Sequence, residues 1–249
     1  MLKLALRTAA PFALALAVTG CNETGEGTAQ AGTANETADT SSAVAGDTKW
    51  VRTLTKTDAG GYLMGNPDAE VKLLEFGSLT CSHCATFHEQ AMTELKGDYI
   101  ASGQVSYELR PFVLNMPDFI ATTLAKCTTP EAFYALSDAF FENQASWLGE
   151  FQQISPADQQ RLQGMAPEDA LVEFGRLGGV DKFVQARGLP ASKYASCMAD
   201  EDLRNEIEEI RRAGIEDYKV GGTPTFYIGD EQIEGNTWAG VKAALDEAL

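Results

Sequence analysis

Three apolar runs along the chain predict a buried sheet. Residues 71–76 (VKLLEF) and 105–113 (VSYELRPFV) are rich in the branched and aromatic side chains typical of buried strands. A third run, 225–228 (TFYI), lies far along the chain, and a turn at Gly229-Asp230 leads into a short strand at Gln232-Ile233. The pattern therefore predicts two strand regions that are separated by a long segment of another kind.

Helical patterns fill the rest of this region. Apolar residues recur every four positions at Phe87, Ala91 and Leu95, which predicts a helix that begins near Ser82. Helix-start signals then recur from about 118 to 218, and a last helix is expected at 237–249. The order is strand, helix, strand, about 100 residues of helices, two strands and a helix. We expect an α/β fold whose sheet carries helices on both faces and is split by a large helical insertion.

The first 20 residues have the pattern of a secretory signal peptide. Lys3 and Arg7 precede an apolar run at 9–18, which is too short to span a bilayer as a helix. The run ends in Val18-Thr19-Gly20-Cys21, which resembles a bacterial lipobox. We therefore expect Cys21 to be lipidated, and the alternative is an ordinary signal peptide followed by an incidental thiol.

Residues 21–48 are expected to form a flexible linker behind the lipidated cysteine. After Cys21 the segment is rich in Thr, Ala, Gly, Ser and Glu, and Val44 is its single large aliphatic residue. Such a sequence buries too little apolar surface to offset the entropy of ordering it. Its expected reach is about 30 Å, and the folded domain then covers 49–249.

Composition and charge restrict the possible functions. The chain has 249 residues with 36 acidic and 19 basic side chains, so its formal net charge is −17. Binding to a nucleic-acid backbone needs clustered Lys and Arg, and we expect no nucleic-acid partner. Five cysteines, at 21, 81, 84, 127 and 197, are too few for a disulfide-dense small protein.

The strongest chemical signal is Cys81-Ser82-His83-Cys84, which directly follows a predicted strand and opens a predicted helix. Unpaired N–H groups and the dipole at a helix N-terminus favour a thiolate, and one helical turn lets the second sulfur close a disulfide ring. His83 would stabilise the Cys81 thiolate further. The alternatives are a purely structural disulfide and half of a zinc site. Because the chain has no second CxxC and only one more histidine, His88, we expect no metal, and we assign His88 no chemical role.

A second motif, Gly221-Gly222-Thr223-Pro224, directly precedes the third apolar run. Together with the CxxC motif it resembles the thioredoxin superfamily, in which a Thr-Pro or Val-Pro peptide is cis and lies beside the two cysteines. The resemblance implies that the backbone of Thr223 can pair with an extended substrate segment. The large helical insertion makes the chain most similar to the DsbA-like branch, over about residues 60–249.

Glu75 is the third candidate. It is in phase with Val71 and Leu73 in a strand predicted to be central, where a carboxylate is costly unless it has a function. It precedes Cys81 by six residues, which is the spacing of the buried acid in DsbA-type proteins. The resemblance implies that Glu75 accepts or relays the proton of a buried Cys84 thiol, and the alternative is an acid at a strand end that reaches solvent.

Cys127 and Cys197 both fall in the predicted helical insertion. In an oxidising compartment two remaining thiols in one subdomain most simply pair, and some DsbA-like proteins have a similar second disulfide. Two buried free thiols are the alternative.

The resemblance implies a thiol:disulfide oxidoreductase without a cofactor, in the periplasm and anchored to a bacterial membrane by its lipid. We expect a monomer that oxidises reduced or unfolded secreted proteins and is reoxidised by a membrane redox partner. The Ser82-His83 dipeptide and the Thr before Pro224 leave the direction of electron flow open, so a reductase or isomerase is the alternative. A non-catalytic lipoprotein that binds peptides is a second alternative.

Overall fold

The computed structural model describes residues 48–249, which form a mixed sheet with helices packed against it. The predicted signal peptide, the predicted lipidation of Cys21 and nearly all of the predicted linker lie outside the described residues. The strands are β1 (Leu54–Lys56), β2 (Tyr62–Gly65), β3 (Val71–Gly77), β4 (Val105–Pro111), β5 (Thr225–Ile228) and β6 (Glu231–Gln232). The helices are α1 (Thr48–Val51), α2 (Ser82–Glu94), α3 (Met116–Lys126), α4 (Pro130–Glu142), α5 (Gln144–Gln152), α6 (Pro156–Gln163), α7 (Pro167–Leu177), α8 (Val180–Gln185), α9 (Ala191–Ala199), α10 (Glu201–Glu216) and α11 (Trp238–Ala248).

The six strands lie in the order β1-β2-β4-β3-β5-β6. The two central strands, β3 and β4, are parallel, and the other neighbouring pairs are antiparallel. In this register Glu75 lies between Leu109 of β4 and Phe226 of β5. A central strand thus carries Glu75 and leads directly to the CxxC motif.

The sheet confirms the predicted α/β class and the helical insertion, and it has two further strands. We predicted no strand before residue 71, but β1 and β2 form an antiparallel pair and β2 continues the sheet at β4. Both are short, and β2 ends in a glycine, so neither presents a clear alternating pattern. Their pairing within the sheet and the burial of side chains stabilise these strands, since Tyr62 and Met64 of β2 are almost completely buried.

Apolar side chains from β3 are buried on both of its faces. Val71 and Leu73 belong to the large core that also receives α2 and the first helices of the insertion. Leu74 and Phe76 point the other way and pack with Phe112 and other residues in a smaller cluster. This explains why β3 reads as a nearly continuous apolar run rather than as an alternating one.

Helix α2 begins at the predicted place. Cys81 is its N-cap residue in an extended conformation, and Phe87, Ala91 and Leu95 are all buried along one face. The helix continues without a break into a π-helical turn at Leu95–Ile100. Its buried face therefore anchors the start of the helix, and with it the CxxC motif, against the sheet.

The helical insertion extends from α3 to α10. Side chains of Asn115, Thr129, Ser155 and Asp200 accept hydrogen bonds from backbone N–H groups at the starts of α3, α4, α6 and α10. Cys127 and Cys197 form a disulfide that joins the end of α3 to α9, with 5.8 Å between their Cα atoms. Within residues 48–249, every helix is too short or too polar to cross a bilayer.

Candidate active site

Cys81 is the accessible sulfur of the CxxC motif. Its exposed fraction is 9%, whereas Cys84, one turn further along α2, is fully buried. The pKa of Cys81 is lowered to about 5, chiefly because the Cys84 thiol donates a hydrogen bond to it; burial opposes this effect. The Thr223 side chain and the backbone N–H groups of His83 and Cys84 lower this pKa further. Cys81 is therefore a thiolate at neutral pH, which is the reactive form of cysteine.

Cys84 has the opposite electrostatic environment. Burial raises its pKa well above the ordinary value, and the neighbouring Cys81 and the negative charge of Glu75 raise it further. The backbone N–H of Ser78 donates to its sulfur at 3.5 Å. The reduced pair therefore consists of one thiolate near the surface and one thiol beneath it.

The loop at Thr223–Pro224 meets the cysteines although it lies more than 130 residues away in sequence. The peptide bond between Thr223 and Pro224 is cis. The Cys81 sulfur lies 3.1 Å from the carbonyl oxygen of Thr223, to which it donates a hydrogen bond only when it is protonated. A cleft of about 680 Å³ lies beside this loop and is lined by residues 222–225 and 232–236. Thr223, whose carbonyl oxygen contacts the Cys81 sulfur, is one of the residues that line this cleft.

The side chain of His83 is exposed. Within residues 48–249 its ring makes no hydrogen bond or ion pair, and only its backbone N–H lowers the pKa of Cys81. A contribution of the His83 imidazole to catalysis stays a prediction.

Glu75 is completely buried, and its carboxylate faces the side of the sheet that α2 covers. Its Oε2 accepts a hydrogen bond from the Tyr107 hydroxyl at 2.7 Å. Its Oε1 has no hydrogen-bond partner among the described residues. A Cβ atom at position 77 would lie 2.8 Å from Oε1, so Gly77 makes room for this oxygen. One carboxylate oxygen is thus hydrogen-bonded, and the other has no partner among the described residues.

Two side chains that position the CxxC motif escaped the sequence analysis. Asp118 is fully buried and accepts hydrogen bonds from the Ser78 hydroxyl at 2.6 Å and from the backbone N–H of Leu79 at 3.0 Å. Gln144 donates to the carbonyl oxygens of Leu79 and Cys81 at 2.9 and 3.0 Å. Asn115 with Asp118 three residues later is a helix-start signal, which could have revealed the capping but not the contact with the loop.

His88 was also missed. Its ring is buried, with its Nε2 atom 3.4 Å from Oε2 of Glu75 and 3.3 Å from the Tyr107 hydroxyl. The available sequence signal was its spacing, since His88 follows Cys84 by four residues and therefore shares its helix face. Among residues 48–249 no cluster of three or more His, Cys, Asp or Glu side chains is arranged to hold a metal.

Comparisons with known sequences agree with this geometry. A family model described as thioredoxin matches residues 57–247. A "putative protein-disulfide oxidoreductase" of Rickettsia bellii is 27% identical over 195 residues, which cover 78% of this chain and 66% of that relative. The chain therefore spans just under two thirds of the length of this relative.

Solved structures have the same architecture. The protein-disulfide isomerase from Novosphingobium aromaticivorans has a TM-score of 0.69 and 29% identity, covering 74% of this chain and 95% of that chain. The alpha-DsbA1 of Wolbachia pipientis has a TM-score of 0.61 and 21% identity, covering 76% and 90% of the two chains. This chain combines the sheet, the CxxC helix, the cis-proline loop and the helical insertion. It belongs to the thioredoxin family and has a DsbA-like fold.

Proposed function

We propose that this protein is a thiol:disulfide oxidoreductase that forms disulfides in reduced or unfolded secreted proteins. The observation that carries the proposal is the environment of Cys81: a sulfur at the helix N-terminus, 9% exposed and with a pKa lowered to about 5, beside the Thr223–Pro224 loop. The relative from Rickettsia and the solved relative from Novosphingobium carry names from the same chemistry.

The reaction uses the Cys81–Cys84 disulfide as the electron acceptor. A substrate thiolate attacks the sulfur of Cys81, the enzyme disulfide breaks, and Cys84 leaves and takes up a proton. A second thiolate of the substrate attacks the substrate sulfur of the mixed disulfide, and Cys81 leaves as a thiolate. Two electrons have then passed from two substrate thiolates to the enzyme, and one disulfide has formed in the substrate.

The stability of the Cys81 thiolate favours the oxidase direction. A thiolate of low pKa is a good leaving group and stabilises the reduced enzyme, which makes the disulfide a stronger oxidant. A reductase or isomerase is the alternative, and the name of the Novosphingobium relative is the observation that supports it.

Substrate binding is assigned to Thr223 and Pro224. The cleft beside them is open to solvent and has room for an extended segment, which could pair with the backbone of this loop. Main-chain pairing is independent of side chains, and this would suit an enzyme that must accept many unfolded substrates.

The proposed location is the periplasm, with the chain anchored through a lipid on Cys21 after removal of residues 1–20. The segment 21–48 would then act as a tether of about 30 Å. In this arrangement a membrane redox partner reoxidises the pair, and the protein works as a monomer. Mass spectrometry of the membrane-extracted protein should find an acylated Cys21 at the N-terminus; an unmodified residue there contradicts the anchor.

The enzymatic proposal is tested by the variants Cys81→Ser and Cys84→Ser. The wild type should oxidise a reduced model protein, Cys81→Ser should be inactive, and Cys84→Ser should accumulate a mixed disulfide through Cys81. Equilibration with glutathione then gives the direction, because an oxidase comes to equilibrium mostly reduced. Exchange that persists in Cys81→Ser overturns the assignment, and a wild type without any exchange favours a peptide-binding lipoprotein.

A further inference from the structure

Three buried ionisable side chains, Glu75, Cys84 and His88, lie near one another beneath the CxxC motif. Cys84 and His88 lie one turn apart on the same face of α2, and their exposed fractions are 0% and 6%. Glu75 approaches His88 from β3, with 3.4 Å between its Oε2 atom and Nε2 of His88. The charge of Glu75 also reaches Cys84, since it raises the pKa of that thiol. His88 thus approaches the same carboxylate oxygen of Glu75 that accepts a hydrogen bond from the Tyr107 hydroxyl.

The other side of the His88 ring faces solvent through a surface pocket. Its Nδ1 atom lies 3.9 Å from Oδ1 of Asp138 on α4, within ion-pair distance. Asp138 in turn pairs with Lys96 at 3.0 Å. His88, Asp138 and Lys96 all line a pocket of about 780 Å³ between α2 and α4. Nδ1 has no hydrogen-bond partner among the described residues, and the His88 ring therefore lies between the buried carboxylate of Glu75 and the pocket.

The chemistry proposed for the cysteines requires such a route. Reduction of the Cys81–Cys84 disulfide by two thiolates breaks one S–S bond and forms another, and it leaves Cys81 as a thiolate and Cys84 as a thiol. The balance needs one proton for Cys84 in each cycle and releases one proton when the pair is reoxidised. Because Cys84 is fully buried, this proton cannot come directly from bulk water.

We propose that His88 carries this proton between Glu75 and the pocket at Asp138, so that the pocket is the proton exit of the redox site. This role rests on the proposed thiol:disulfide exchange and extends it to a residue outside the CxxC and cis-proline motifs. His88 acts through Glu75 and is a positioning and proton-carrying residue, since it does not touch the substrate.

Electrostatics at His88 are consistent with this role. Burial lowers the pKa of His88, but the nearby negative charges of Glu75 and Asp138 outweigh this effect and raise the pKa to about 9. The ring therefore holds a proton at neutral pH. The ionisable groups around it are Glu75 from β3, Tyr107 from β4, Asp138 from α4, Lys96 from the π-helical turn, Cys84 and Glu89 from its own helix, and Glu142 at the pocket rim.

The direct test is His88→Gln, which keeps a polar side chain of similar reach but cannot carry the charge. The measured quantity is the rate at which glutathione thiolate reduces the Cys81–Cys84 disulfide between pH 6 and 10. At pH 7 we expect a decrease of about 10²-fold, the lower end of what general acid–base catalysis contributes. The absorbance titration of the Cys81 thiolate should stay unchanged. A rate within twofold of the wild type across this pH range overturns the proposal.

Two further variants separate proton transfer from packing. Phe141→Leu removes the ring that packs on His88, with 4.0 Å between the ring centroids, and should leave the pH profile in place. Asp138→Asn, at a partly exposed position, should shift the upper limb of the profile to lower pH, because His88 loses a neighbouring negative charge. If His88→Gln does not fold, the pH profile of Asp138→Asn tests the proposed proton route instead. An unshifted profile in Asp138→Asn, or a shift of equal size in Phe141→Leu, contradicts the proposed route.

The wild-type rate separates this inference from the proposed function. An active wild type with a normal His88→Gln rate refutes only the proton route. A wild type that does not react with glutathione refutes the oxidoreductase and the proton route together. Imidazole added to His88→Ala should enter the open pocket and restore the rate. If the added imidazole repaired only the packing, it would not restore the rate at higher pH.

Discussion

The two cysteine pairs of this chain lie at opposite ends of helices. Cys81 caps the N-terminus of α2, where backbone N–H groups point at its sulfur and lower its pKa. Cys127 caps the C-terminus of α3, and Cys197 lies in the last turn of α9. Carbonyl oxygens and the negative end of the dipole disfavour a thiolate there. The thiol group thus favours exchange at the N-terminus of α2 and a lasting disulfide at the C-terminal ends of α3 and α9.

Sequence separation makes the same distinction. Two residues lie between Cys81 and Cys84, so their disulfide closes a small ring that restricts the unfolded chain little. Cys127 and Cys197 are 70 residues apart, and their disulfide holds two helices of the insertion together. Position relative to the helix ends and loop length, rather than the cysteine itself, therefore distinguish the reactive pair from the structural one.

Helix α3 links the two regions physically. It ends at Cys127, and near its start Asp118 accepts hydrogen bonds from the loop that precedes Cys81. The insertion is therefore more than an addition to the thioredoxin fold, because it fixes the backbone on which the reactive sulfur lies.

Removal of the structural pair should have the largest effect on stability. The double variant Cys127→Ala/Cys197→Ala should lower the free energy of unfolding by about 4 kcal/mol, the chain-entropy value for a loop of this length. Urea unfolding measures the loss. Thiol exchange at 25 °C should stay within twofold of the wild type, and a large loss of exchange in the folded variant would contradict the separation of the two pairs.

Asp118→Ala should come second. It leaves the Ser78 hydroxyl and the buried backbone N–H groups of Leu79 and Leu114 without their acceptor, and we expect a loss of about 3 kcal/mol in unfolding free energy. Exchange should slow as well, because the loop before Cys81 loses its support. Asp118→Asn is the matched control, since it keeps one acceptor oxygen. Equal losses of unfolding free energy in both variants would argue against support of this loop by hydrogen bonds to Asp118.

The pH dependence of stability should distinguish the reduced from the oxidised protein. The pKa of Cys81 is about 5 when folded against a usual value of 9.0, so the folded state favours the thiolate. This contribution is complete above pH 9 and is lost as the pH falls towards 5. The unfolding free energy of the reduced protein relative to the oxidised one should fall by about 1.4 kcal/mol per pH unit between pH 7 and 5. A constant difference in urea unfolding at pH 7, 6 and 5 would contradict the lowered pKa.

The smallest effect is expected for Thr223→Val. The Thr223 hydroxyl is one of several groups that lower the pKa of Cys81, and its removal should weaken the thiolate by about 1 kcal/mol. The absorbance titration of Cys81 should then shift upward by less than one pH unit. Thr223→Ser keeps the hydroxyl and should titrate as the wild type, and a larger shift in Thr223→Ser than in Thr223→Val would exclude this contribution.

The sequence pattern predicted the helices and strands whose formation depends on neighbouring residues. The apolar run of β3, the four-residue spacing after Cys81 and the Pro-containing helix starts all depend on neighbouring residues, and the structure confirms these elements. The strands β1 and β2 were not predicted because β2 is stabilised by pairing with β4 and β1 by pairing with β2, which a short and irregular pattern does not reveal.

The candidate site divides in the same way. Motifs identified Cys81, Cys84 and Pro224, and a charge in an apolar strand drew attention to Glu75. His88 and Asp118 could not be assigned, because their partners come from β3, β4, α4 and the loop after β3, far away in sequence. Contacts across the fold, rather than residue type, bring these two side chains to the site.

The most direct test of the account is the ionisation of Cys81 in the reduced protein. Thiolate absorbance at 240 nm should be titrated in the wild type, with Cys81→Ser as the blank that removes all other contributions. We expect a single transition with a midpoint near pH 5 that is absent in Cys81→Ser. A midpoint near 9, the value of an ordinary thiol, would contradict it.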